Sequence, residues 1–385
     1  MIPYSRQIIN KSDIAAINKV LTSDYLTQGP KKKEFEKQLS KICSSKYSAT
    51  FNSATSALHI ACLALGVSRG DEVWTCTNSF VASANCALYC QANINLVDIN
   101  PEDFNMCMLD LERKLIKAKK IGKLPKVIIP IHFGGLPPDL KKLSKLKKKF
   151  KFKIIEDASH AIGGSYFNTK VGSCYYSDIT IFSFHPVKII TTAEGGAALT
   201  NDKKIYKKLN QLGVHGITRE KKYLKDKKKD NWYYEHQMLG YNYRLNDIQS
   251  ALGTSQLKNL NKWIKIRNHL ANLYIKKFKD LPLSCQKVGT GIKSAYHLFV
   301  IIVKSNKKKK TRNELYKYLK AKKIITNVHY IPIHKQPFFK KFNFKSVNYK
   351  NAEHYYKNCL SIPMYAGLTK RSQTKIINSI ISFFK

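Results

Sequence analysis

Ile179-Thr180-Ile181-Phe182-Ser183-Phe184-His185-Pro186-Val187-Lys188, continued by Ile189-Ile190-Thr191-Thr192-Ala193-Glu194-Gly195-Gly196-Ala197-Ala198-Leu199, is the stretch on which the fold turns. Two apolar runs of strand length flank a loop that carries one lysine and ends on a Gly-Gly hinge. A lysine held in a partly desolvated pocket between two strands has a lowered pKa and acts as a nucleophilic amine toward aldehydes. The plain alternative is a solvated surface lysine, the usual state of that residue. The rest of the chain decides between them.

Working outward, short apolar runs alternate with helical patterns over the first 240 residues or so. The runs Tyr47–Phe51, Glu72–Cys76, Ile94–Asp98, Val127–His132, Lys153–Asp157, Ile179–Phe184 and Gly196–Thr200 read as strands. Between them, Leu140, Leu143, Leu146 and Phe150 form one apolar stripe with lysines on the other faces. Alternation of this kind predicts an α/β fold, a mainly parallel sheet with helices on both faces. Asp157 closes its strand at the carboxyl end, the edge where open α/β sheets bind ligands. Ser53-Ala54-Thr55-Ser56 follows a strand and opens a helix with the apolar face Ala57, Leu58, Ala61, Cys62 and Leu65. Free N–H groups at such a helix start bind phosphate. Read alone, that segment is better explained as an ordinary N-cap, and Asp157 is equally a loop cap.

From about Leu212 to Tyr241 the chain is polar, lysine-rich and aperiodic, a long loop. At Asn246 the pattern changes. Asn246 with Gln249 three residues on is a capping box. One long helix is expected after it, on Ile248, Ala251, Leu252, Ser255 and Leu260. The strand-like run His297–Val303, a helix near Arg312–Lys322 and a helix near Thr369–Phe384 complete a smaller α+β domain. The expected boundaries are 1–245 and 246–385.

The chain has 385 residues, 68 Lys+Arg against 25 Asp+Glu, and a net charge of +43. So basic a protein is a candidate for binding nucleic acid or an anionic membrane surface. Against this, lysine greatly outnumbers arginine, whereas base readout favours arginine. The lysine runs Lys227-Lys228-Lys229 and Lys307-Lys308-Lys309-Lys310 read as solvated loops. The expectation is no specific nucleic acid and no membrane insertion, the latter because no apolar run reaches about 18 residues. The N-terminus lacks the blocks of a signal peptide, which predicts a cytoplasmic protein. Nine scattered cysteines without a CxxC pair predict free thiols and no metal site.

The segment from Ser183 to Gly196 resembles the Schiff-base motif of the DegT/DnrJ/EryC1/StrS family, the pyridoxal-phosphate (PLP) dependent sugar aminotransferases. Phe51-Asn52-Ser53-Ala54-Thr55-Ser56-Ala57-Leu58-His59 resembles its phosphate loop, with Ala54 where the family commonly has Gly. Glu156-Asp157-Ala158-Ser159-His160-Ala161 is similar to its ring-nitrogen segment, and Gly240-Tyr241-Asn242-Tyr243-Arg244-Leu245-Asn246 to its partner-subunit loop. His329-Tyr330-Ile331-Pro332-Ile333-His334 and Ser361-Ile362-Pro363-Met364 match later landmarks. The resemblance runs from near residue 4 to near residue 384. It is nearest to the branch that makes UDP-4-amino-4,6-dideoxy-N-acetyl-β-L-altrosamine for pseudaminic acid, on Leu26-Thr27-Gln28-Gly29, Asn52–Leu58, Ser159-His160-Ala161 and Ile190–Gly196.

The resemblance implies an aspartate aminotransferase-like fold (fold type I) and a PLP cofactor held on Lys188 as an internal aldimine. It implies that Asp157 keeps the pyridine nitrogen protonated and that Ala54, Thr55 and Ser183 hold the phosphate. Phe80 would stack on the ring and His160 would meet the ring hydroxyl. A packed core Phe and a packed core His are the alternatives for these two. Asn242 would reach the phosphate across a homodimer interface. Tyr4, Thr27, Gly29, His329 and Tyr330 match positions near the sugar-nucleotide cleft. L-glutamate would donate the amine and a UDP-linked 4-keto sugar would accept it. Relatives that act as dehydrases carry histidine at the Schiff-base position, so Lys188 favours transamination. Two alternatives remain on sequence: a relative acting on another UDP- or dTDP-4-keto sugar, and a basic binding protein on a non-catalytic PLP fold.

Overall fold

The computed structural model describes residues 1–226, 228, 230–304, 310–342, 344 and 348–385. Of the two lysine runs, Lys227, Lys229 and Lys307–Lys309 lie outside the described residues.

Seven strands form the main sheet: β1 (Tyr47–Phe51), β2 (Glu72–Cys76), β3 (Asn93–Val97), β4 (Val127–Ile129), β5 (Lys153–Asp157), β6 (Ile179–Ser183) and β7 (Gly196–Thr200). Their spatial order is β1-β7-β6-β5-β4-β2-β3. β3, β2, β4, β5 and β6 pair in parallel, while β7 runs antiparallel to both β6 and β1. Each residue of β6 and β7 is buried. That is the continuous apolar pattern of strands covered on both faces. The mainly parallel α/β sheet expected from the alternation is present. Three strands differ from the sequence reading by their ends only, the largest change being at β4, which stops at Ile129.

The helices that precede and link these strands are α1 (Lys11–Leu21), α2 (Pro30–Cys43), α3 (Ala54–Ala64), α4 (Ala82–Tyr89), α5 (Met108–Lys120), α6 (Leu140–Phe150) and α7 (Lys203–Gly213). In α6 the predicted stripe Leu140, Leu143, Leu146 and Phe150 is buried, Asp139 caps the N-terminus, and Lys147, Lys148 and Lys149 fill the last turn. Acidic caps at the start and cations at the end both suit the helix dipole. The described residues of the 212–241 stretch are mostly irregular, with a two-residue ladder joining Ile217–Thr218 to Glu235–His236.

The single long helix expected after Asn246 is two helices, α8 (Asp247–Leu257) and α9 (Leu260–Phe278). The reason is packing. α8 is buried almost all round against α1 and α2. α9 buries one stripe, Leu260, Trp263, Ile264, Arg267, Leu270, Ala271, Tyr274 and Phe278. A break at Lys258-Asn259 lets each helix face its own neighbours. The Asn246–Gln249 capping box is formed as read.

A second core gathers around β8 (Leu283–Cys285), β9 (Phe299–Val303) and β10 (Cys359–Ile362), with α9, α10 (Arg312–Ala321) and α12 (Lys370–Phe384) packed on it. α11 (Lys350–Asn358) leads into β10. β9 serves both cores. Phe299, Ile301 and Val303 point into the second, while Val300 and Ile302 belong to the first. The strand period of two puts these sets on opposite faces. Ile2 pairs in parallel with Ile324, so the N-terminus is stitched into this region.

Candidate active site

The carboxyl edge of the main sheet builds the site. Phe51, Gly196 and Ser183 lie in one row across β1, β7 and β6. Just beyond Phe51 the chain turns at Asn52-Ser53 into α3. Gly196 is required there: a Cβ would lie 2.5 Å from the backbone of Ser53 and Ala54. Ser53 caps α3 through Ser56 N–H, and its carbonyl takes Ala57 N–H. The first-turn N–H groups of Ala54 and Thr55 are orphan donors by position, and both residues line the cavity.

Beyond β6, the loop to β7 is closed at its neck. Phe184 N–H donates to Gly195 O (2.9 Å) and Thr192 N–H to Phe184 O (3.0 Å). Ser5 Oγ pins it from the N-terminal segment by donating to Val187 O (2.9 Å). Lys188 sits in this loop and lines a cavity of about 400 Å³ with Asp157, Ser183, His160, Phe80, His297, Tyr4, His329 and Tyr330. Burial lowers the Lys188 pKa to about 8, and the charge of Asp157 acts weakly in the other direction. More spacious hollows exist, of about 690 and 970 Å³, but neither contains Lys188.

Asp157 is anchored at both oxygens. Ser83 Oγ donates to Oδ2 (2.6 Å) and Ser159 N–H to Oδ1 (3.1 Å). Three buried histidines surround the amine. His160 and His297 pack with ring centroids 4.4 Å apart, and His329 Nδ1 lies 2.8 Å from Ser361 Oγ. Burial drives the pKa of His160 and His297 well below the usual value, helped by the charges around Lys188. Burial brings His329 to about 4. All three are neutral at pH 7, so the site holds no competing fixed cation of theirs. Tyr330 OH lies 3.2 Å from His160 Nε2, and burial raises its pKa.

The structure thus brings together Lys188, Asp157, Ala54, Thr55, Phe80, His160, Ser183, Tyr4, His329 and Tyr330. Phe80 is 58% exposed and stands at the mouth rather than in the core. Three expected residues lie elsewhere in this chain. Asn242 is exposed on a segment that pairs with Val214. Thr27 is exposed three residues before α2. Gly29 is the cap of α2, where its N–H and that of Lys31 donate to buried Asp247 (2.9 and 2.7 Å) and a Cβ would meet Tyr25 Cβ at 2.4 Å. Helix capping and close packing account for that glycine within the chain.

Sequence reasoning missed His297, Asn327 and Glu194 as cavity residues, and Ser83 behind Asp157. His297 looked like the start of an apolar strand, and no local pattern connects Ser83 to a residue 74 positions later.

The side chains present fit PLP. Lys188 Nζ donates to no described residue, a carboxylate stands at the strand edge, helix N–H groups open on the same space, and the buried His160 Nδ1 has no partner among the described residues. When bound, that cofactor supplies an electron sink for charge that develops beside an amine.

The comparisons agree with this geometry. Residues 7–381 match the DegT/DnrJ/EryC1/StrS aminotransferase family. The UDP-4-amino-4,6-dideoxy-N-acetyl-beta-L-altrosamine transaminase of Campylobacter jejuni is 38% identical over 387 residues, covering 100% of this chain and 98% of the relative. The structure of Helicobacter pylori PseC, an aminotransferase of pseudaminic acid biosynthesis, superposes with a TM-score of 0.89 at 33% identity, covering 100% of this chain and 99% of that one. A Streptococcus pneumoniae protein in its PLP form gives 0.87 at 27% identity, covering 99% and 98%. With its lysine, carboxylate and helix N-terminus in one cavity, and with likeness over its whole length, the chain belongs to the DegT/DnrJ/EryC1/StrS family of PLP-dependent sugar aminotransferases.

Proposed function

We propose that this enzyme moves the amino group of L-glutamate to C4 of UDP-2-acetamido-2,6-dideoxy-β-L-arabino-hexos-4-ulose. The product is UDP-4-amino-4,6-dideoxy-N-acetyl-β-L-altrosamine, made in the cytoplasm for pseudaminic acid. The observation that carries this reading is the full-length, 38% identity to a relative named for that product. PseC, with matching fold over the whole chain, supports it.

In this reading each side chain has one task. Lys188 anchors the cofactor and, once displaced by the donor, takes the proton from the donor's α-carbon through Nζ. Its lowered pKa supplies the neutral amine near pH 8. Asp157 holds the proton on the ring nitrogen. The α3 N-terminus and Ser183 bind the phosphate, and Phe80 covers one ring face. Neutral His160 meets the ring hydroxyl, and neutral His329, with Tyr4 and Tyr330, lines the side toward the sugar. Residues 1–245 form the cofactor domain and 246–385 the smaller domain. Asn242 comes from the second copy of a homodimer, and Thr27 and Gly29 stand near the nucleotide-sugar in that assembly.

The test is turnover of a panel of UDP- and dTDP-linked 4-keto sugars with glutamate, products identified by mass and NMR. Amination of the UDP-N-acetyl-6-deoxy-4-keto sugar with the β-L-arabino configuration, above the other panel members, is expected. Preference for a dTDP-sugar or for another epimer would replace this substrate with that one.

A further inference from the structure

Behind Asp157 lies a short chain of buried hydroxyls. Ser83 on α4 donates to Asp157 Oδ2 at 2.6 Å. Ser79 Oγ is 2.9 Å from Ser83 Oγ, and either is able to donate. Ser79 Oγ is also 2.9 Å from Phe80 O. Asp157, Ser83 and Ser79 are all buried, at 7, 0 and 2% exposure. The row therefore runs carboxylate, hydroxyl, hydroxyl, carbonyl.

Protons can be counted along it. Three oxygen–oxygen contacts need three protons, and two hydroxyls supply two. With Asp157 ionised, Ser83 turns to Asp157 and Ser79 turns to Ser83. Phe80 O then loses the Ser79 proton but keeps the Ser83 backbone N–H, which donates to it at 3.3 Å. With a proton on Asp157 Oδ2, the row reverses. Asp157 donates to Ser83, Ser83 to Ser79, and Ser79 to Phe80 O, and all three contacts are filled. Neither state leaves a buried polar atom orphaned, which is the costly outcome in such a place.

We propose that Ser83 and Ser79 form a reversible hydroxyl relay that positions Asp157 and sets how its proton is shared with the ring nitrogen of PLP. The inference rests on Asp157 facing that nitrogen. Ser83 lies behind the cavity wall and Ser79 reaches Asp157 only through Ser83, so both act on Asp157 as positioning residues. When charge develops on the cofactor, the proton sits on the ring and the relay points at Asp157. When the ring proton passes to Asp157 Oδ2, the same two hydroxyls turn without moving a heavy atom.

The experiment titrates the visible Schiff-base band of the holoenzyme against pH. Ser83→Ala removes the donor to Oδ2, so the shared proton leans toward Asp157 and the ring carries less positive charge. The Schiff-base nitrogen then keeps its proton to higher pH, and the midpoint rises by about half a unit or more. Ser83→Thr keeps a hydroxyl and restores the wild-type midpoint. Ser79→Ala leaves the Ser83–Asp157 contact in place and gives a smaller rise, which decides the matter if Ser83→Ala does not fold. Asp157→Asn raises the midpoint more than either. A wild-type midpoint in the serine variants, with Asp157→Asn shifted, overturns the relay alone. A wild-type midpoint in Asp157→Asn overturns the placement of Asp157 as well.

Discussion

Lys188 owes its chemistry to where it is buried, not to what precedes it in the chain. Its amine has no described hydrogen-bond partner and titrates near 8 because water is excluded. PLP added to the apoenzyme should therefore load at a rate that climbs with pH and levels off above about 8, followed by visible absorbance. The direction follows from the neutral amine being the nucleophile. Asp157 pulls the other way by stabilising the ammonium, so Asp157→Asn should shift this loading profile to lower pH. A profile that keeps rising to the ordinary lysine range would show an exposed amine instead. This concerns the free amine, and is separate from the titration of the bound cofactor. At this scale the sequence was informative wherever a residue belongs to a contiguous motif. It was silent on Ser83 and His297, whose roles exist only after β5, α4 and β9 are brought side by side.

Among the elements, the contact between β7 and the start of α3 shapes the proposed phosphate site. Gly196 lets the strand pass within van der Waals reach of Ser53 and Ala54, and the obstructing atoms are backbone, which cannot swing aside. Gly196→Ala should push the helix start away from the cavity. We expect at least a tenfold loss of PLP affinity by equilibrium dialysis, with a stability cost of about 1–3 kcal/mol from overpacking. Unchanged affinity would mean that the N–H groups of Ala54 and Thr55 do not hold the phosphate. Elements were legible to different degrees for physical reasons. β6 and β7 are continuous apolar runs and were found almost to the residue. The break between α8 and α9 was not, because helical spacing continues through Lys258 and Asn259, and only the change of packing partner ends one helix. Gly29 shows the converse case: a motif residue whose local duty, capping α2 with Asp247, is visible only in three dimensions.

For the whole molecule, the open question is assembly. Asn242 is exposed here and lines no part of the Lys188 cavity, yet its segment abuts the Asn52-Ser53 turn, with Asn52 N–H donating to Tyr243 O at 2.9 Å. If a second copy supplies Asn242, two inactive chains will complement. Lys188→Ala mixed with Asn242→Asp should give heterodimers with one doubly damaged site and one intact site. Activity should return to at most about a quarter of wild type on random pairing. No recovery after proven subunit exchange would place Asn242 outside the partner's site. The net charge of +43 needs no separate function on this view. A cationic surface raises the local concentration of an anionic nucleotide-sugar, which is a matter of encounter rate and not of chemistry.

The strand shared by both cores has one more consequence. A strand with one buried face can be displaced by two residues and keep its pattern. β9 is buried on both faces, by different partners, so it behaves like a reading frame. A slip of one residue would send Phe299, Ile301 and Val303 into the wrong core and draw Val300 and Ile302 out of theirs. The frame is transmitted onward: Val300 pairs with Ser361, Ser361 Oγ lies 2.8 Å from His329 Nδ1, and His329 lines the cavity with Lys188. The register between the two sides of the cavity is thereby guarded against a slip of a single residue by two cores at once.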